Sequence, residues 1–294
     1  MSDESRSLFE LVPGKRVQGR YRILRASRQS GLSAAFEVQD EEAGEHLELT
    51  VFPPGTFDAP GQVEEYRSVM EPWLRVESPH VLAVRDLLPL FGATFALVTQ
   101  LPEGPSLRSV LQESNHLSQG EVLRLGIQLC QGLEAIHGQG LIHGDVKPHT
   151  IHVSGEGDGF TATLVDGGIT PGLWNAKHLG DRTALIGTPF YAPVEQFGGE
   201  SPDVRSDIYN VATVLFESAT GMLPWPGSTF LEVFQAKLSR RPPTMRDRAP
   251  EAEVDADLER VITGGLMADR NERYADARAF GRALQELSAA AERE

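Results

Sequence analysis

The chain has 294 residues, enough for one large domain or two lobes around a substantial core. Its formal net charge is −15, from 42 acidic against 27 basic residues, which argues against nucleic-acid binding through backbone charge and against adhesion to an anionic membrane surface. A single cysteine, Cys130, excludes an intramolecular disulfide.

Residues 1–20 are polar and weakly patterned, an arm or the lead-in to a first strand. From Tyr21 to about Leu101 the pattern is strand-like. YRILRAS, SAAFEVQD and HLELTVF predict three antiparallel strands, with EEAGEH as the turn between the second and third. GQVEEYRSVMEPWLRV predicts a helix, although Pro72 inside it removes a hydrogen bond and should kink or end it. Strands around VLAVRDLL and TFALVTQ follow, and QLPEGPS is a connector. The periodicity then becomes helical: SLRSVLQESN, then EVLRLGIQLCQGLEAIHGQG, where Cys130 falls in the apolar pattern of Val122, Leu125, Leu129, Leu133 and Ile136 and reads as a core thiol. Two acid-bearing loops and a long loop to about Glu195 come next. SDIYNVATVLFESATG predicts a helix with one apolar stripe of Ile208, Val211, Leu215, Phe216 and Ala219. STFLEVFQAKL, DADLERVITGGL and ADARAFGRALQELSAAAE complete a helical second half. No stretch predicts an export signal, and LLPLFGATFALV is too short to span a bilayer, so the expectation is a soluble cytoplasmic protein without a membrane segment. A small β-rich lobe joined to a larger helical one predicts a ligand cleft at the junction.

LIHGDVKPHTIHV and LVDGGIT carry the chemistry. They set Asp145 and Lys147 on one loop and Asp166 on another, an arrangement of two acids and a lysine that suits phosphoryl transfer. HGDVKPHT resembles the catalytic loop of bacterial Ser/Thr protein kinase domains, and DGG resembles their metal-binding Asp-Phe-Gly. GTPFYAPVEQF resembles the end of their activation segment, DVRSDIY the start of their central helix, and ADRNERY their late arginine-bearing turn. The resemblance covers roughly residues 21–288. It implies an α+β, bilobal protein kinase-like fold: a small antiparallel β-rich N-lobe with one helix over 21–101, and a larger mostly helical C-lobe over 102–288. Residues 289–294 would be a tail.

By the same resemblance, Asp145 is the acid that accepts the substrate hydroxyl's proton and Lys147 steadies the transferring phosphate. Asp166 is the magnesium-binding acid. Asp207 hydrogen-bonds the catalytic-loop backbone, and Glu195 pairs with Arg273. These last three serve the fold whether or not chemistry occurs.

Other positions of the pattern are lost. Arg28, Ser30 and Ser33 stand at the three glycines of the phosphate-covering loop, where side chains should stiffen the turn. Arg28 reads as a solvated surface arginine. Thr50 stands where the third strand should carry a phosphate-gripping lysine, and the only lysine before residue 147 is Lys15. Val69 falls at the position of that lysine's glutamate partner, with Glu64, Glu65 and Glu71 nearby. Ala35, Glu48 and His152 stand at the adenine pocket, where a carboxylate against an apolar ring would lose hydration without a partner. A Glu48–His152 pair is an alternative use for both. Thr99 and Leu101 belong to the same degenerate nucleotide site. Thr150 replaces the asparagine that binds a second magnesium and is a weak ligand at best. Gly167 replaces the phenylalanine, and Gly144 the arginine before the catalytic acid.

The resulting expectation is a pseudokinase, a kinase-like fold acting as scaffold or allosteric partner of a protein of unknown identity, with no cofactor. Two alternatives stand beside it: a weak or atypical kinase using Mg-ATP through Asp145, Lys147 and Asp166, and a nucleotide sensor without phosphoryl transfer.

Overall fold

The computed structural model describes residues 10–29, 33–52, 55–57, 60–90, 94–176, 190–239 and 241–291. The chain divides into two compact units: residues 1–76, 82–102 and 175–178 in the first, and 77–81, 103–174 and 179–294 in the second.

The first unit is built on a six-stranded antiparallel sheet. Its strands are β1 (Arg16–Val17), β2 (Tyr21–Gln29), β3 (Ala34–Asp40), β4 (His46–Val51), β5 (Val84–Leu90) and β6 (Thr94–Gln100), in the order β1-β2-β3-β4-β6-β5. Alternation sorts the side chains between the two faces. Ile23, Val38, Leu47, Leu49, Val51, Ala96 and Val98 point to one side and form a core with Tyr21, Leu88 and Leu90. Residues 10–20, read from sequence as an arm or lead-in, contribute β1 and bury Leu11 and Val17 in that core.

Helix α1 (Pro60–Met70) lies beside β6, where Tyr66 makes edge-on contacts with Phe52 and Phe95. The predicted single helix stops at Met70, and residues Glu71–Arg75 tighten into a 3₁₀ turn with Pro72 in its first turn. Proline is tolerated there because the missing amide has no helical partner to lose.

The second unit opens with α2 (Leu107–Ser114), capped by Ser106, and α3 (Gln119–Gly138), whose Ser118 and Glu121 form a capping box. A hairpin of β7 (Ile151–Ser154) and β8 (Thr161–Leu164) follows. Helix α4 (Ile169–Ala176) lies where the sequence suggests only loop, because Gly167 and Gly168 hide the signal that follows them. Then come α5 (Val194–Phe197), α6 (Val204–Thr220), α7 (Phe230–Lys237), α8 (Met245–Arg248), α9 (Ala256–Gly264) and α10 (Ala277–Ala291).

Packing in this unit centres on α6. The single stripe expected for it is an underestimate: every residue from Ser206 to Ser218 is buried. A helix surrounded by others buries its polar residues too, and Ser206, Asp207, Asn210 and Thr213 spend theirs on internal hydrogen bonds. Gly126 lets α3 approach closely, since a Cβ there would lie 2.8 Å from Leu215 on α6 and 2.7 Å from Leu284 on α10. Cys130 is buried as expected, and burial pushes its thiol well above the ordinary range, so it is an inert core residue.

Candidate functional site

Asp207 anchors the loop that follows α3. It is fully buried near the start of α6, where Asp203 caps the helix. Its carboxylate accepts the backbone amides of His143 at 2.9 Å and Gly144 at 2.8 Å, with His137 Nε2 also at 2.9 Å. His143 continues the chain of contacts. Its Nδ1 accepts the Asp145 amide at 3.3 Å, so its Nε2 carries the proton and donates to the Val165 carbonyl at 3.1 Å. Burial lowers the His143 pKa, in keeping with this neutral tautomer.

On the loop so fixed, Lys147 Nζ lies 2.7 Å from Asp145 Oδ2. Burial raises the Asp145 pKa, while the Lys147 charge opposes the rise. Thr150 braces the turn: its hydroxyl donates to the Asp145 carbonyl at 2.7 Å and accepts the Lys147 amide at 3.1 Å. The predicted Asp145, Lys147 and Thr150 are therefore one hydrogen-bonded unit.

Asp166 sits on the adjoining loop, joined to the first through the Val165 amide and the Thr150 carbonyl at 3.0 Å. Its φ is +60°, a left-handed conformation that is strained for a residue with a Cβ, and Gly168 follows at +73°. Of the two residues expected to hold magnesium, Thr150 is buried with its hydroxyl committed to the loop, which leaves Asp166 as the one carboxylate in that expected set.

In the first unit, the face of the sheet away from the core carries Ala35, Glu48, Thr50, Leu97 and Thr99. Register pairs Ala35 with Thr50, Thr50 with Leu97, and Glu48 with both Glu37 and Thr99. Thr50 is 3% exposed, and the Thr99 hydroxyl is buried without a hydrogen-bond partner. Glu48 is fully buried, and its partner corrects the sequence reading. Arg28, expected as a solvated surface side chain, reaches from β2 across β3 to place Nη2 2.6 Å and Nε 3.0 Å from Glu48 Oε1. Ser27 Oγ adds a hydrogen bond to Oε2 at 2.9 Å. Glu37, the like charge directly opposite, is drawn off by Arg25 at 2.6 Å.

Among the remaining expected residues, His152 has Nδ1 3.0 Å from the Gly104 carbonyl in the second unit. Val69 is half-buried on α1, one residue before the buried Met70, and Glu64 pairs with Arg67 at the surface. Ser33 and Leu101 are partly exposed. Ser30 lies outside the described residues.

A family model described as the protein kinase domain matches residues 63–284 of this chain. The chain belongs to the protein kinase domain family. Serine/threonine-protein kinase pkn3 of Myxococcus xanthus is 27% identical over 277 residues, which is 92% of this chain and 50% of that protein. Serine/threonine-protein kinase PkaA of Streptomyces coelicolor is 31% identical over 222 residues, 74% of this chain and 38% of the relative. The chain thus spans half or less of the length of these curated relatives. The crystal structure of the Mycobacterium tuberculosis PknI kinase domain superposes with a TM-score of 0.70 at 22% identity, over 90% of this chain and 95% of that one. The fold is accordingly that of a protein kinase: an antiparallel sheet unit with one principal helix, and a mainly helical unit.

Residues 190–195 of this kinase domain are held by more than the Glu195–Arg273 pair that the resemblance implies, and the contacts of residues 190–192 were missed from sequence. Arg273 makes two hydrogen bonds to Glu195, at 2.7 and 2.8 Å, with both side chains buried, and Ser206 adds a third at 3.1 Å. Lys237, 1% exposed at the end of α7, donates to the carbonyls of Phe190 at 2.8 Å and Ala192 at 2.6 Å. Asn210 takes the Tyr191 carbonyl between them at 2.8 Å. Burial lowers the Lys237 pKa, but two carbonyls and the faces of Phe197 and Tyr209 compensate its charge. The Tyr191 hydroxyl joins Arg108 and Glu217 in a further buried network. One signal was legible: a lysine inside the apolar spacing of α7, in a chain with four lysines. No helix among the described residues is long and apolar enough to cross a membrane.

Proposed function

We propose that this kinase domain is catalytically silent, a pseudokinase that works as a scaffold or allosteric partner of another protein in bacterial signalling. The observation that carries the reading is the Arg28–Glu48 ion pair beside Thr50. The family pattern puts a phosphate-gripping lysine at position 50 and adenine-facing side chains at 35 and 48. In this chain that face holds a dehydrated carboxylate already neutralised by its own arginine. Admitting a nucleotide means separating the pair, and an uncompensated buried carboxylate costs several kcal/mol. Phosphoryl transfer depends almost wholly on positioning and charge neutralisation. The chain lacks the strand lysine, the glycine cradle and the catalytic-loop asparagine. If each absence costs about 10²-fold, turnover becomes negligible. What Asp207, Glu195 and Arg273 do in this reading is hold the larger unit together, which serves a binding surface as well as it serves an enzyme.

A weak or atypical Ser/Thr kinase is the second reading, favoured by the Asp145–Lys147 contact at 2.7 Å. A nucleotide sensor, resting on Asp166 alone, is the third. Incubation with labelled ATP and magnesium, with a generic basic substrate present, separates them. The proposal expects no label on either protein. Labelling that disappears in Asp145→Ala establishes the second reading, and nucleotide binding without labelling establishes the third.

A further inference from the structure

The residues around Asp145 fit the segment after Asp166 in a way that the retained-acid reading leaves unused. After the left-handed turn at Gly168, the chain winds into α4, with the Gly172 amide donating to the Gly168 carbonyl at 2.8 Å. Ile169 and Leu173 bury this helix against the unit. Pro171 stands in its first turn, where proline is tolerated. The proline ring lies against Gly144: a Cβ at that position would meet Pro171 Cγ at 2.7 Å and Cδ at 2.8 Å. Gly144 also has a φ of +77°, so no other residue serves there without strain.

The neighbouring Thr170 is 6% exposed and donates its hydroxyl to Asp145 Oδ2 at 3.3 Å. That oxygen is the one Lys147 grips.

We propose that α4 is a built-in acceptor mimic: the Thr170 hydroxyl takes the place on Asp145 that an incoming serine or threonine hydroxyl would occupy, and the Gly144–Pro171 contact seats it. The arginine that the family pattern puts before the catalytic acid would collide with Pro171. Its loss and the presence of α4 are therefore two halves of one arrangement. Asp145 is closed to external hydroxyls from within the larger unit, whatever the smaller unit does with nucleotide.

The inference rests on reading Asp145 as the hydroxyl-orienting acid, and its test uses no nucleotide, so it fails or stands separately from the silent-kinase reading. Carboxylates of the full chain are amidated with a water-soluble carbodiimide and glycine ethyl ester, and the extent at Asp145 is read by mass spectrometry. Amide hydrogen exchange over residues 169–174 is followed in parallel. In the native chain Asp145 is expected to react far more slowly than the exposed Asp257. Thr170→Val, which keeps the shape and removes the donor, and Gly144→Arg, which displaces Pro171, should each raise amidation at Asp145 several-fold and loosen 169–174. Thr170→Ser should retain native protection. If Gly144→Arg fails to fold, the Val and Ser variants decide alone. Native Asp145 reacting as fast as Asp257, or Thr170→Val behaving as Thr170→Ser does, overturns the proposal.

Discussion

Replacing Arg28 with alanine strips Glu48 of its guanidinium and leaves the carboxylate with the Ser27 hydroxyl alone. Glu48 is fully buried, whereas the Arg28 side chain is 25% exposed. Removing one partner of a buried ion pair typically costs 3–5 kcal/mol, and water entering from the exposed side of Arg28 offsets part of that, which leaves about 2–3 kcal/mol. For a chain of this size such a loss lowers the melting temperature by roughly 5–10 °C. Taking both charges out, as Arg28→Met with Glu48→Leu, should return stability to within about 1 kcal/mol of the native protein or above it, because well-packed apolar residues replace buried pairs without loss. Urea and thermal unfolding of the native chain, both single variants and the double variant close a mutant cycle that isolates the coupling between the two residues. A loss below about 0.5 kcal/mol for Arg28→Ala, or a double variant as damaged as the worse single, refutes the argument that this pair holds the sheet face.

Three further outcomes follow from the same geometry. Arg20 and the amides of Glu42 and Ala43 hold the Asp40 carboxyl near 2, below its ordinary 3.8. The stabilisation is complete above about pH 4 and is lost as pH falls toward 2, so Asp40→Asn should flatten that acid limb by at most about 1 kcal/mol, given the exposure of Arg20. Arg273→Ala leaves Glu195 buried without its partner and should cost about 3–5 kcal/mol in thermal unfolding followed by circular dichroism, far more than Arg260→Ala, whose pair with Asp257 is exposed. Thr50→Lys should confer no labelling by ATP, because the new lysine sits two residues from Glu48 on the same face and is drawn to that carboxylate; robust phosphoryl transfer from this single change would show the pair to be no obstacle.

Much of the fold was legible in local chemistry. Alternation located β2 to β4, Pro72 marked the end of α1, and the ordered loops around Asp145, Asp166 and Glu195 pointed to the family. The less legible features depend on reach or context. Whether Arg28 meets water or Glu48 depends on a bulge between Ala26 and Gln29 and on the width of one intervening strand, neither of which has a sequence signal. β1 is two residues long and gains its stability from β2 rather than from its own propensity. Helix α4 follows two glycines and carries a proline, so its pattern reads as loop until Gly144 is seen to receive that proline. Lys237 would be solvated on most helices, and only the carbonyls of Phe190 and Ala192, which it meets in the folded chain, explain why a cation is buried there.

The central claim is that the kinase fold here no longer grips a triphosphate nucleotide. Thermal unfolding of the native chain across a millimolar titration of Mg-ATP tests it most directly. A ligand at 100 times its dissociation constant would add about 2.7 kcal/mol, a rise of roughly 5–10 °C. The account predicts a melting temperature that does not move across the titration. A saturable rise of that size that requires magnesium and Asp166 would contradict it.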